Sequence, residues 1–447
     1  MENQTAPQYS LLKMTWPIFI ELFLQILVGN VDQIMLSRYN PTAVAAVGNA
    51  NQVMTILLLS FTVINLAATI LISRYIGAKD TRSVQQIYML SSFTNFLLGV
   101  ALCILVFIIG TPLFRLMRVP EELIPEARAY LRITALSLPF HALMLTFSAF
   151  LKAHARMGLV TIITGIINIV NILGNTALIY GFGAFPEMGA RGAALSTTIC
   201  RIVGMILMIG GFFKWIPDAK MDLKLLRPFP SALFNKLLAI GLPSGGEALS
   251  YNFSQMVGLS FINTLGTYVV TTRVYCVMFA QVCYILVLAV AQAGQIIVSY
   301  HVGARELDIA DKECRRILNI FTPITVILTV LLCLFSPMLF GLLTDDARII
   351  TLGQRILTVE IFLEIGRCHN IILVRNLQAV GDVRFPVLIG IASQWIVAVG
   401  LAYVLCIPCG LGLFGMWIAF AVDENLRALI FRLRWTHGDW KQRLIYE

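Results

Sequence analysis

Charge is what this 447-residue sequence has least of: Asp, Glu, Lys and Arg make up 13% of it, against 58% apolar residues. So little polar surface cannot cover a soluble protein of this size. Nucleotide-binding signatures are also missing. No Walker A sequence occurs, which excludes a chain that itself hydrolyses ATP and leaves an ion gradient or the substrate's own gradient as the energy source. The five histidines (His141, His154, His301, His369, His437) are scattered and no HExxH is present, which counts against an intramembrane metalloenzyme. Low-complexity segments and soluble domains are absent. The only long polar interruption is 214–236, which carries Pro217, Pro228, Pro230 and several basic residues. The nine cysteines lie mostly singly in apolar runs and act as small hydrophobes. Cys406 and Cys409 form a CxxC on the expected outer side; packing or a surface disulfide is preferred over a redox or zinc role, because no partner pair or His cluster accompanies it.

What is present is a succession of runs long enough to cross a bilayer, with a mean hydropathy of +0.83. Twelve are expected, at about 14–36, 44–73, 87–111, 130–152, 158–181, 190–213, 237–264, 274–301, 316–342, 352–378, 384–407 and 411–431. The first contains Glu21 and Asp32 and no small-residue cleavage site, so it reads as a spanning helix rather than a signal peptide. The net charge of +9 invites a nucleic-acid reading, but basic residues concentrate after even-numbered spans, at 79–82, 152–156, 214–236, 305–316 and 384, and again at 432–443. Loops after odd-numbered spans hold fewer, chiefly Arg115, Arg118 and Arg128 beside Glu121, Glu122 and Glu126. The bias of positive charge to the cytoplasmic side then puts both termini in the cytoplasm.

Three sequence pieces recur 226 residues apart. Pro17 followed by Glu21 returns as Pro243 followed by Glu247; Ile72 to Asp80 returns as Val298 to Glu306; Lys152-Ala153 returns as Gln378-Ala379. A constant offset across separate anchors predicts a duplicated bundle of six plus six spans. Such repeats mark secondary transporters, whose substrate path runs between the halves. The expected divisions are an N-terminal lobe at 1–213, a cytoplasmic linker at 214–236, a C-terminal lobe at 237–434 and a cytoplasmic tail at 435–447.

Ionisable residues inside spans are costly enough to be functional candidates. Asp32 and Glu21 are eleven residues apart, within about 20° of one helical face, and Asp32 is a candidate proton or cation site. Glu21 has the alternative of a boundary or packing role. Glu247 follows Gly245-Gly246 and precedes Ser250, Tyr251, Asn252, Ser254 and Gln255. Small and polar neighbours allow close helix approach and supply partners to a buried carboxyl, the setting a coupling site needs. Asn171 and Asn175 share a face and can offer two amide oxygens to a small cation, or serve as interhelical glue. Glu364 and Arg367 are three residues apart and can neutralise each other, as a structural pair or as part of a transport path. Tyr251, Phe253, Met256 and Met278 can supply adaptable apolar contacts or cation–π partners, or plain packing.

These residues together resemble the multidrug and toxic compound extrusion (MATE) family, in its bacterial NorM-like branch. The resemblance covers essentially the whole chain. Its carriers are Pro17 with Asp32, the turn Tyr75-Ile76-Gly77-Ala78-Lys79, Asn171 and Asn175 before Tyr180-Gly181, Gly192 to Thr197, and Gly241 to Glu247. It implies an all-α polytopic membrane protein of twelve transmembrane helices in two pseudo-symmetric lobes. It further implies a monomeric antiporter in a bacterial inner membrane that exports cationic or amphipathic small molecules by alternating access, with Na+ or H+ as coupling ion and no other cofactor. By the same resemblance Asp32 is the acidic residue of the N-terminal lobe, Asn171, Asn175 and Thr197 surround it as a Na+ site, and Glu247 is the C-terminal cation residue. One departure stands out: Arg367 occupies the place where that branch carries an aspartate, and it repels a cation unless Glu364 or Glu247 compensates. A lipid-linked oligosaccharide flippase of the same superfamily is the alternative, and a channel or intramembrane enzyme a more distant one. A flippase favours an interior rich in Arg and Lys, whereas here carboxylates and cations are about equal.

Overall fold

The computed structural model describes residues 10–182, 185–438 and 440–441, and all regular structure in it is helical. In chain order the helices are α1 (Leu11–Tyr39), α2 (Pro41–Gly77), α3 (Thr81–Leu116), α4 (Ile124–Ala135), α5 (Leu138–Ala153), α6 (Met157–Tyr180), α7 (Gly189–Trp215), α8 (Ser231–Asn263), α9 (Thr267–Gly303), α10 (Leu307–Leu334), α11 (Ser336–Gly341), α12 (Ala347–Ala379), α13 (Arg384–Ser393), α14 (Ala402–Cys406) and α15 (Gly412–Thr436). A short 3₁₀ turn (Leu223–Leu226) precedes α8, and a π-helical stretch (Gln394–Leu401) joins α13 to α14.

Among the described residues, eight helices are long and apolar enough to cross a bilayer, and nine if α4 and α5 count as one bent span. The chain is therefore an all-α polytopic membrane protein. Its outside is as apolar as its inside: in α3 only 17% of the most apolar window is buried, and Ile108 and Leu116 are 69% and 80% exposed. Lipid tails compete equally for such side chains, so helix association here rests on close packing and internal hydrogen bonds rather than on burial of apolar surface from water. Among the long helices outside the count, α12 carries Glu360, Glu364, Arg367 and Arg375 away from its exposed face.

Three expected spans are broken rather than continuous. The stretch at 130–152 bends by 48° between α4 and α5, where Pro139 lies in the first turn of α5 and cannot donate to the preceding turn. Pro337 starts α11 in the same way inside 316–342. The stretch at 384–407 widens into its π segment.

The chain forms two compact units, 16–241 and 242–447, the latter together with 10–15. Polar chain around 218–225 belongs to the first unit, where Gln85 and Gln86 of α3 donate to Asp218 O and Leu225 O. Helix limits recur between the units at the sequence offset: α2 and α9 each run 37 residues and end at Gly77 and Gly303, while α5 and α12 end at Ala153 and Ala379. At about 1.5 Å per residue, 37 residues exceed the roughly 30 Å hydrocarbon core, so both helices project beyond it. Backbone exceptions repeat as well. Lys79 (φ 58°) and Arg305 (φ 60°) turn the chain at equivalent points, as do Ala155 (φ 57°) and Gly381 (φ 88°).

The first unit packs a core around Leu36, Phe61, Phe114, Tyr130 and Leu138; the second packs one around Cys276, Phe340, Leu363, Cys406 and Trp417. Cys406 is buried in that second core and Cys409 is exposed, both as free thiols. One glycine sets the distance that matters most for the first unit. A Cβ on Gly192 would lie 2.2 Å from the Leu178 carbonyl oxygen, so only glycine lets α7 approach α6 this closely.

Candidate functional site

In the first unit, α1 and α6 bring Asp32, Asn171 and Asn175 together. Asn175 is fully buried, Asn171 nearly so, and Asp32 half-buried. The Asn175 Nδ2 donates to Asp32 Oδ1 at 2.5 Å and to Asn171 Oδ1 at 3.3 Å. Its own Oδ1 is buried and has no partner. Pairing α1 to α6 continues along both helices: Thr161 Oγ1 donates to Pro17 O at 2.7 Å, Asn168 Nδ2 to Leu24 O at 2.9 Å, and Tyr180 Oη to Met35 O at 2.7 Å. About five helical turns of α1, from Pro17 to Met35, are thus held by polar side chains of α6. The close approach at Gly192 lets Ser196 Oγ of α7 donate to Asn171 O at 3.2 Å. Thr197 makes no side-chain hydrogen bond among the described residues; its neighbour Ser196 bonds α6 instead.

Arg201, one turn further along α7, was not singled out by the sequence as part of this group. Its Nη1 donates to Ser137 Oγ at 2.8 Å, and its charge acts on Asp32, Tyr130 and His141. Tyr130 in turn donates to Asn51 Oδ1 at 3.3 Å. Glu21, expected on the Asp32 stripe, is engaged elsewhere: its Oε1 meets Lys152 Nζ of α5 at 2.8 Å and accepts from Gln25 Nε2 at 3.2 Å.

The second unit gathers charge where α12 and α15 pack. Gly366 makes this possible, since a Cβ there would lie 2.6 Å from the Asn425 backbone nitrogen. Arg367 Nη1 donates to Glu360 Oε1 at 3.0 Å and to Glu364 Oε1. Glu360 Oε2 accepts from Trp417 Nε1 at 2.5 Å, whereas Glu364 Oε2 is buried without a partner. Arg427 pairs with Asp423 at 2.5 Å and Glu424 at 3.1 Å, and Glu424 also accepts from Asn370 Nδ2 at 2.6 Å. Ser393 of α13 donates to Asp423. Glu247 of α8 packs against α13, where a Gly390 Cβ would lie 2.7 Å from its Oε1. It makes no hydrogen bond or ion pair among the described residues, although Arg375 and Arg427 act on it electrostatically. Five carboxylates (Glu247, Glu360, Glu364, Asp423, Glu424) therefore stand against three guanidiniums (Arg367, Arg375, Arg427). The arginine that departs from the family pattern is neutralised twice over, by Glu364 and by Glu360, the latter unnoticed in the sequence although it lies two turns before Arg367 on the same face.

Among the described residues no group of three or more His, Cys, Asp and Glu has an arrangement that holds a metal ion. The Asp32 group is of another kind, one carboxylate with two amides.

The MatE family model matches residues 17–176 and again 243–404, and the two matches start 226 residues apart. An uncharacterized transporter, YisQ, of Bacillus subtilis is 36% identical over 435 residues, covering 97% of this chain and 95% of its own. A probable multidrug resistance protein, NorM, of Thermotoga maritima is 25% identical, covering 97% and 93%. Among solved structures, a MATE crystal structure in the bent conformation superposes with a TM-score of 0.89 at 20% identity, covering 97% of this chain and 96% of that one. It shares the fold.

Proposed function

The chain belongs to the MatE family and is thus a secondary transporter; on that premise we propose that it exports cationic or amphipathic small molecules in exchange for Na+ or H+. In this reading its twelve apolar stretches are twelve transmembrane helices in two lobes, with both termini cytoplasmic, in a bacterial inner membrane. Alternating access carries the substrate outward.

The observation that carries the coupling reading is the Asn175 amide. Its NH2 bridges Asp32 Oδ1 and Asn171 Oδ1 while its oxygen is buried and idle. The amide donor thus occupies the place in which a cation would stand. Turning the amide by a half rotation exchanges that donor for its oxygen, so that the Asp32 carboxylate, the Asn171 amide oxygen and the Asn175 oxygen can line one small cation between them. Hard cations prefer such oxygen donors. A proton on Asp32 favours the same turn, because the carboxylic acid then donates to the amide oxygen. Either ion therefore selects one amide orientation, and its absence selects the other. An ion drives transport only if it binds the two conformations of the bundle unequally; the Asp32 group, tied to α1 by a series of hydrogen bonds, gives it the handle to do so. Neutralising Asp32 also removes the attraction for a cationic substrate.

Glu247 is, in this reading, the acidic group of the second unit. Arg367 is no barrier there, since Glu360 and Glu364 hold its charge. Growth of an efflux-deficient host on cationic dyes tests the proposal: wild type restores growth, and Asp32→Asn, expressed at the same level, does not. Equal growth with both rejects the Asp32 reading.

A further inference from the structure

The 226-residue offset turns the two units into a comparison of equivalent positions, and Glu21 is the equivalent of Glu247. Both follow an intrahelical proline by four residues, Pro17 in α1 and Pro243 in α8. The equivalent of Lys152 is Gln378, each one residue before the end of its helix, and each followed after the helix end by a left-handed residue, Ala155 or Gly381. The surroundings of the two carboxyls nevertheless differ. In the first unit Lys152 Nζ lies 2.8 Å from Glu21 Oε1, with the two side chains 17% and 4% exposed. In the second unit Gln378 turns away: it donates to Ser244 Oγ at 3.2 Å and accepts from Gln295 Nε2 at 3.2 Å. Glu247 is left without a bonded partner.

We propose that Glu21 is the first unit's copy of the Glu247 cation site, and that the Lys152 ammonium fills it permanently in place of a monovalent cation. The ammonium brings the same single charge to the same carboxyl, on a stem anchored in α5. The pair leaves Glu21 Oε2 buried and without a partner, and Gln25 supplies a side-chain amide at 3.2 Å. Two carboxylate oxygens and an amide oxygen are the donors a hard cation takes once the ammonium is gone. The complementary asymmetry holds one site along. Asp32 has Gly258 as its equivalent, and Asn171 and Asn175 have Val397 and Leu401. Each unit thus keeps one live acidic site, at different positions of the repeat: Asp32 in the first, Glu247 in the second.

This inference rests on the reading that Glu247 and Asp32 respond to cations, and the experiment separates the two claims. The full-length protein is purified in detergent, and its thermal unfolding midpoint is followed as NaCl replaces N-methylglucamine chloride at constant ionic strength, near pH 8. If Na+ is the coupling ion, wild type shows a saturable upward shift with Na+ that the pair Asp32→Asn/Glu247→Gln abolishes; a wild type without that shift rejects only the Na+ form of the function reading, and the Lys152→Gln arm still decides the inference. In the Asp32→Asn/Glu247→Gln background, adding Lys152→Gln restores a saturable Na+ shift, and further adding Glu21→Gln removes it. No Na+ shift on adding Lys152→Gln overturns the inference and leaves Lys152 as a structural partner only. If the Lys152→Gln protein is recovered poorly, purification in Na+ and in N-methylglucamine is compared: recovery specific to Na+ supports the filled site, and equal loss in both overturns it.

Discussion

Replacing Glu360 by Gln should destabilise the protein more than replacing Glu364 by Gln, although both carboxylates bind the same guanidinium. Glu360 is satisfied at both oxygens, by Arg367 at 3.0 Å and by the Trp417 indole at 2.5 Å. Glu364 spends one oxygen on Arg367 and leaves the other buried and idle. Loss of a hydrogen bond to a charged group costs about 1.5–3 kcal/mol, and an ordinary one about 1 kcal/mol. In Glu360→Gln the Arg367 bond weakens to a neutral one, and the new NH2 faces the indole N–H, donor against donor. Arg367 keeps its second carboxylate, so the loss stays below the 3–5 kcal/mol of an uncompensated buried charge and comes to about 2–4 kcal/mol. In Glu364→Gln the weakened Arg367 bond is the only bond lost, because the oxygen that becomes an NH2 had no partner, and the cost comes to roughly 1–2 kcal/mol. Thermal unfolding of both variants and the double variant in one detergent gives the order directly, with Trp417 emission as a local reporter. A Glu364→Gln protein as unstable as Glu360→Gln, or more so, refutes the assignment of bonds in this network.

Asn175→Asp adds a second carboxylate beside Asp32 and should tighten Na+ binding at neutral pH by roughly tenfold, about 1.4 kcal/mol, read by Na+ titration of the unfolding midpoint; unchanged or weaker binding contradicts the proposed ion position. Gly390→Ala puts a methyl 2.7 Å from Glu247 Oε1 and should displace that carboxylate at little cost in stability, because it is the free end of a flexible side chain. It should also shift the Na+ dependence of transport without altering any charge, whereas Gly400→Ala, where the nearest atom is 3.4 Å away, should do neither. At the start of α12, the Arg348 guanidinium and backbone amide hold the Asp346 carboxyl below the usual carboxylate range. Its stabilising effect is therefore complete above the unfolded value of about 4 and fades as the pH falls through the lower folded value. The midpoint difference between wild type and Asp346→Asn should be present at pH 7 and vanish toward the acid limit; a difference that grows on acidification has the wrong sign.

The helical frame was legible because apolar runs of bilayer length are a strong, local signal, and a duplication was readable because three residue anchors recur at one offset. The kinks were less so. Pro139 and Pro337 mark them, but α1 and α8 carry Pro17 and Pro243 without a break, so proline alone does not tell a bend from a continuous helix. Asn171 and Asn175 could be grouped because i, i+4 spacing fixes a shared face; Asp32, on another helix, joined them only through the family resemblance. The choice between Ser196 and Thr197 could not be made, since adjacent residues on α7 differ by about 100° and only the packed helix sets the rotation. The sequence left Arg201 without an assigned role, although it and Arg427 are 226 residues apart and each lies within a helix. Lys152 and Glu21 were each noticed, but 131 residues separate them and no local pattern announces an ion pair across that distance.

The most direct test of the account is dye efflux from vesicles carrying wild type, Asp32→Asn or Glu247→Gln, with sodium and proton gradients imposed separately. The account predicts that wild type responds to at least one gradient, that Asp32→Asn abolishes efflux under both while remaining folded, and that Glu247→Gln slows it. Undiminished efflux by Asp32→Asn, with Glu247→Gln alone inactive, would contradict it and move coupling to the second unit.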